Sequence, residues 1–172
     1  MKKIIKLKYL ILLVIVLVSF SSCNNFKEYE QQETDQIATY LAANPLRNFE
    51  KKPSGLYYSE ATAGTGIQPI KHDTVFFSFT VSFLDGTVLN SSGSDTAIVP
   101  IMEGFLIKGL DEGITYMKTG GRSFLLVPSN LAYGSSGYYT YDATGNYVGV
   151  PGFTPLLFDV SLLRVKTSAI RK

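Results

Sequence analysis

The chain of 172 residues offers few groups able to make or break bonds. It has one histidine, His72, and one cysteine, Cys23. A histidine-based nucleophilic triad or a His/Cys zinc cluster needs more of both. A single cysteine also rules out an internal disulfide. His72 stands in the polar run Lys71-His72-Asp73-Thr74, where a solvated turn residue is the simplest reading. Asp111 and Glu112 are adjacent, but they fall in the first turn of a short helix, where the helix dipole favours negative charge. No metal and no cofactor is expected. What remains is non-covalent chemistry carried by apolar surface and tyrosine hydroxyls. Leu106, Ile107, Leu110, Ile114 and Met117 recur at spacings of three and four, so they share one face of that helix. Residues 135–150 read as a long loop crowded with Tyr138, Tyr139, Tyr141 and Tyr147, either an ordered flap over a site or an exposed hairpin tip.

Several elements must position these groups. Gly109 and Gly113 are poor helix formers, so the helix is short, starts near Leu110 and ends at Gly120-Gly121. It needs a sheet to lie on, and the flanks supply one. Val75, Phe77, Phe79, Val81 and Phe83 alternate with smaller or polar residues over 75–84, which predicts a strand with its odd-numbered side chains inward. Asp85-Gly86 gives a tight turn into a return strand at 87–90. Residues 97–102 read as an edge strand or bulge because of Pro100. Strands are also predicted over 56–59, 122–127 and 156–165. Together these make an α+β domain, with antiparallel strands around one short helix.

The N-terminal part differs in kind. Net charge is +2, yet Lys2, Lys3, Lys6 and Lys8 carry four positive charges and leave −2 for the rest. A slightly acidic body argues against a nucleic-acid surface. The basic start, the apolar run 9–20 and Ser21-Ser22-Cys23 look like a bacterial lipoprotein signal, in which Cys23 receives the lipid and becomes the first mature residue. A helix is predicted over 28–43, with Ile37, Tyr40 and Leu41 on one face and Pro45 at its end. It could serve as a spacer, a cap on the domain or a dimerisation element. The division is therefore 1–22 as signal peptide, 23–52 as helical extension and 53–172 as the globular domain.

Four motifs keep a specific order. They are Asp85-Gly86 with Asn90-Ser91-Ser92; Ile107-x-Gly109 with Asp111-Glu112-Gly113; Ala132-Tyr133-Gly134; and Leu157-Phe158-Asp159-Val160 with Leu162-Leu163. Over about residues 53–165 the chain resembles the FKBP-type peptidyl-prolyl cis-trans isomerases in their envelope lipoprotein form. That resemblance implies an antiparallel half-barrel sheet wrapped around a central helix, with an apolar pocket for a prolyl residue. Carried over by position, the pocket contains Phe79, Asn90, Val99, Leu106, Ile107, Leu110, Tyr133, Val150 and Phe158. The Ile107 N–H and the Tyr133 hydroxyl are implied to grip substrate carbonyls, with Asn90 beside them. The family has Tyr at Phe79, Phe at Leu89, Asp at Asn90 and Trp at Leu110.

The resemblance thus implies an isomerase acting on proline-containing polypeptides in the cell envelope, held to the membrane through lipidated Cys23. A catalytically weak peptide-binding or chaperone lipoprotein is the alternative, motivated by Phe79, Asn90 and Leu110. A purely structural lipoprotein is the third reading.

Overall fold

The computed structural model describes residues 26–141, 144–145 and 147–169. The leader and Cys23 lie outside them. Helix α1, whose described part covers residues 26–43, precedes a 3-10 turn at Pro45–Arg47. The strands are β1 (Glu50–Lys51), β2 (Tyr57–Thr62), β3 (Thr74–Ser82), β4 (Val88–Ser91) and β5 (Ala97–Pro100). Helix α2 (Lys108–Thr115) follows, then β6 (Arg122–Val127), a 3-10 turn at Ser129–Leu131, β7 (Tyr138–Tyr141), β8 (Tyr147–Val150) and β9 (Leu156–Lys166).

The expected α+β class holds. Among the described residues the main sheet has the order β1-β2-β6-β9-β3-β4, with β5 also on β3 and every pairing antiparallel. The long strands β3 and β9 run side by side, with Val81 opposite Phe158 and Phe79 opposite Val160. As the alternation requires, Val75, Phe77 and Val81 are buried and Phe79 is half-buried. β5 pairs only with β3, so Pro100 ends a strand at the sheet margin, where its missing N–H breaks no ladder.

Helix α2 lies on β6. A Cβ built at Gly109 would meet Val127 Cγ1 at 2.4 Å, and one at Gly113 would meet Leu125 Cδ1 at 2.4 Å. The two glycines therefore permit this close approach. The helix starts two residues earlier than Leu110 and ends at Thr115, well short of Gly120. Its buried face is Leu110 and Ile114, with Met117 just beyond the end.

The stretch 135–150 is not structureless. β7 and β8 pair as a separate antiparallel hairpin, with Tyr138 opposite Val150 and Thr140 opposite Val148. Helix α1 packs through Ile37, which is buried, with Tyr40 and Leu41 half-buried beside it.

Candidate functional site

One apolar cluster gathers most of the residues that the sequence singles out. Leu110 on α2, Val150 at the end of β8 and Phe158 on β9 are buried in it. Phe79, Val99, Leu106, Ile107 and Tyr133 pack against it and remain partly exposed. The result is a closed apolar floor with a half-exposed margin. Phe83, Leu89, Ala97, Leu131 and Ala132 belong to the same margin. Of these, Phe83 stood out by its alternation, Leu89 and Ala132 through the family resemblance; Ala97 and Leu131 lack any spacing that separates them from ordinary core positions.

Two polar hydrogens sit on this margin. Ile107 is the N-cap of α2, in extended backbone at φ −62 and ψ 148. Its carbonyl accepts the N–H groups of Leu110 and Asp111 at 3.1 and 3.0 Å. Its own N–H donates to no group among the described residues. The Tyr133 ring stacks on Tyr138 with centroids 5.2 Å apart and planes at 26°. Burial pushes the Tyr133 hydroxyl above its ordinary 10.0, and Tyr138 adds to this. The hydroxyl thus stays protonated, and a donor, throughout the neutral range.

Asn90 is not drawn into the cluster. It is exposed, and its Oδ1 accepts the Ser91 N–H at 2.8 Å. Phe79 is fixed through its backbone, since Ser92 N–H donates to the Phe79 carbonyl at 2.9 Å and Phe79 N–H donates to Ser92 Oγ at 3.0 Å. The serines of Asn90-Ser91-Ser92 therefore hold the strand that carries Phe79.

Asp111 does more than answer the helix dipole. It is buried, and its Oδ1 accepts the Met102 N–H at 2.9 Å. Met102 has φ 60, so this bond pins an unusual backbone turn at the start of the loop leading to Leu106 and Ile107. Burial raises the Asp111 carboxyl above its ordinary 3.8; the Met102 N–H opposes this and Glu103 adds to it. His72 has φ 72, is exposed, and sets Nδ1 against Glu103, so it remains a surface turn residue with an acidic neighbour.

Asp73 and Glu33 are buried as well, which the sequence reading missed. Glu33 on α1 accepts from Ser129 N–H and from Ser129 Oγ at 2.5 and 2.6 Å. The signal was available: Glu33 stands four residues before Ile37, on the face that Ile37, Tyr40 and Leu41 define. Two hollows of the surface also lie along α1. One of about 560 Å³ is lined by Phe26, Glu33, Ser129 and Phe153 among others. The other, about 1260 Å³, lies between α1 and the β3–β4 turn.

Residues 65–163 match the family described as FKBP-type peptidyl-prolyl cis-trans isomerase. The chain belongs to that family. It is 32% identical over 157 residues to a probable FKBP-type peptidyl-prolyl cis-trans isomerase FkpA of Neisseria meningitidis, a match covering 87% of this chain and 55% of that protein. It is 35% identical over 145 residues to the outer membrane protein MIP of Legionella longbeachae, covering 84% of this chain and 59% of that one. The crystal structure of FkpA from Escherichia coli is similar with a TM-score of 0.62 and 28% identity, over 81% of this chain and 63% of the other. The FKBP-like fold expected from the motifs is therefore present. The chain spans a little over half the length of the two relatives named first. The FKBP family match begins at Thr65 and stops at Leu163, so α1, β1 and β2 precede it.

Proposed function

We propose that the chain is a peptidyl-prolyl cis-trans isomerase that acts on proline-containing polypeptides in the cell envelope and so assists the folding of envelope or secreted proteins. One observation carries this reading beyond family membership. A buried apolar floor of Leu110, Val150 and Phe158 is bordered by an Ile107 N–H and a Tyr133 hydroxyl that have no hydrogen-bond partner among the described residues.

The chemistry needs no nucleophile. Rotation of the amide crosses a barrier of about 18–20 kcal/mol because planarity keeps the partial double bond. Unassisted exchange at proline takes about 10–100 s at 25 °C. The planar amide is the more polar state and is best solvated by water. An apolar floor that takes the proline ring removes part of that solvation. Meanwhile the Ile107 N–H and the Tyr133 O–H hold flanking carbonyls, so the bond between them twists against fixed ends. Each ~1.4 kcal/mol taken from the barrier gives about tenfold in rate. In this proposal Phe79, Val99 and Leu106 wall the floor and Asn90 stands at its edge. Leu110 in place of a tryptophan, and Asn90 in place of an aspartate, leave the floor less shaped and the edge uncharged, so the rate is below that of a full FKBP pocket.

We further assign residues 1–22 to a signal peptide, 23–52 to an extension and 53–172 to the isomerase domain. Cys23 is the lipid attachment site that holds the chain to the envelope membrane. A single acyl chain binds membranes only marginally, so stable anchoring needs the several chains of a lipoprotein.

The test is isomerisation of a chromogenic Ala-Leu-Pro-Phe peptide by the purified chain, together with its binding. Acceleration over solvent that Tyr133→Phe weakens supports the proposal. Binding of several X-Pro peptides with no acceleration replaces it by the peptide-binding reading.

A further inference from the structure

Helix α1 meets the domain at Ser129 and Phe153, two residues that flank the candidate site in the chain. Glu33 is a buried carboxylate on a helix that is otherwise largely exposed. Both its oxygens converge on one residue, Ser129, which is 96 positions away: Oε1 accepts the backbone N–H at 2.5 Å and Oε2 the hydroxyl at 2.6 Å. Desolvating a carboxylate is costly, and an apolar side chain would dock a helix with less penalty. The carboxylate is therefore informative about what it holds.

Ser129 opens the 3-10 turn that leads to Tyr133. Its carbonyl accepts the Ala132 N–H at 2.9 Å and the Gly134 N–H at 2.7 Å. Both chain neighbours of Tyr133 thus hang from the residue that Glu33 grips. A second arm reaches the same turn. The Gly134 carbonyl accepts the Phe153 N–H at 3.0 Å. The Phe153 ring stacks on Tyr29 at 5.5 Å and 16° and meets Phe26 edge-on at 5.5 Å and 80°. Phe153 has φ 56, a conformation that an aromatic residue keeps only when its surroundings hold it. Val150, on the apolar floor, is three residues upstream. Between the two arms runs the hollow of about 560 Å³, so the helix is not sealed onto the domain along its length.

We infer that α1 is a positioning element for the prolyl site: Glu33, through Ser129, and Phe26 with Tyr29, through Phe153, fix the turn that presents the Tyr133 hydroxyl. The inference rests on the isomerase reading above. Glu33 touches no substrate; it acts through Ser129. Where α1 is undocked, the Tyr133 turn loosens and peptide is held less well, while the floor of Leu110 and Phe158 is unchanged.

The test uses the whole purified chain and the chromogenic Ala-Leu-Pro-Phe peptide. It reads kcat and KM separately, the melting temperature, and amide hydrogen exchange at Ala132 and Gly134. Glu33→Ala removes both hydrogen bonds to Ser129 and should raise KM and lower kcat/KM by about threefold to tenfold, since only part of their loss is felt at Tyr133. Exchange at Ala132 and Gly134 should quicken well below the melting temperature. Glu33→Gln keeps an acceptor for the Ser129 N–H and should recover most of the loss. If Glu33→Ala does not fold, Phe26→Ala, at a side chain 54% exposed, tests the second arm by the same readouts. Wild-type kcat/KM and wild-type exchange in a folded variant overturn the inference and leave the isomerase reading standing. A wild-type chain that neither binds nor isomerises the peptide removes both.

Discussion

Tyr133→Phe separates a site residue from a core residue with the least disturbance. The substitution deletes one oxygen and keeps the ring, so the stack on Tyr138 at 5.2 Å survives. The hydroxyl makes no hydrogen bond among the described residues, so no buried partner is orphaned. Stability should therefore change by no more than about 0.5 kcal/mol, the range of substitutions that break nothing specific. In a chain of this size that is a shift of about 2 °C or less. The loss should fall on the substrate instead. One hydrogen bond to a carbonyl is worth roughly 0.5–1.5 kcal/mol, which lowers kcat/KM by about twofold to twelvefold. The assay is isomerisation of the Ala-Leu-Pro-Phe peptide, with thermal melting on the same sample. Because burial lifts the hydroxyl above its ordinary 10.0, the wild-type rate should carry no Tyr133 ionisation between about pH 6 and pH 9. A melting temperature lowered by more than about 4 °C with an unchanged rate would make Tyr133 a core residue and refute the reasoning.

Leu110→Trp combined with Asn90→Asp should raise kcat/KM, provided the floor accepts the larger ring; an unchanged rate in a folded double variant would show that these positions do not limit catalysis. Gly113→Ala should destabilise by about 1–3 kcal/mol, seen as a lower melting temperature, because its Cβ would sit 2.4 Å from Leu125 Cδ1. Asp111 has a folded-state pKa raised above its ordinary 3.8, so its contribution to stability is fully present below that value and is lost as pH rises through the raised one. Asp111→Asn, which still accepts the Met102 N–H, should therefore gain on wild type in melting temperature between pH 4 and pH 7; a gap that narrows over that interval contradicts this. Cys23→Ser should leave the chain unprocessed or out of the membrane fraction, and a processed, membrane-bound variant ends the lipoprotein assignment.

The frame was legible because its periods are strong. Val75, Phe77, Phe79 and Val81 alternate, and β3 runs where they do. Leu110, Val150 and Phe158 enter the candidate site through the family resemblance, position by position; they are buried in one cluster, and no period distinguishes them from plain core. Three things were hidden for physical reasons. The β7–β8 hairpin is rich in glycine and exposed tyrosine, so no apolar face marked its strands. The start of α2 was read from glycine propensity, yet packing against β6 overrides that preference. The roles of Glu33 and Asp111 depend on backbone N–H groups at Ser129 and Met102, and a turn's donors are invisible until the chain has folded.

The same packing sets how this site can vary. α2 has eight residues, two of them glycine, and its N-cap makes no side-chain hydrogen bond. A helix so short does not persist alone in water, and each glycine costs about 1 kcal/mol against alanine. It exists because β6 receives it at a distance that no Cβ permits. Ile107 is its N-cap and Leu110 lies within it, so the candidate donor and floor form only when the sheet has formed. Changes at Leu110 are therefore changes to the fold as well as to the pocket, and a larger ring there has to be fitted between α2 and its buried neighbours. Phe79 and Tyr133 pack on the cluster half-exposed and Asn90 is exposed outside it, so all three can change chemistry with little cost to packing. The departures at Phe79 and Asn90 are of that easily tolerated kind. Leu110 is not, because it is buried in the same cluster as Val150 and Phe158, and a larger ring there has to be matched by its buried neighbours.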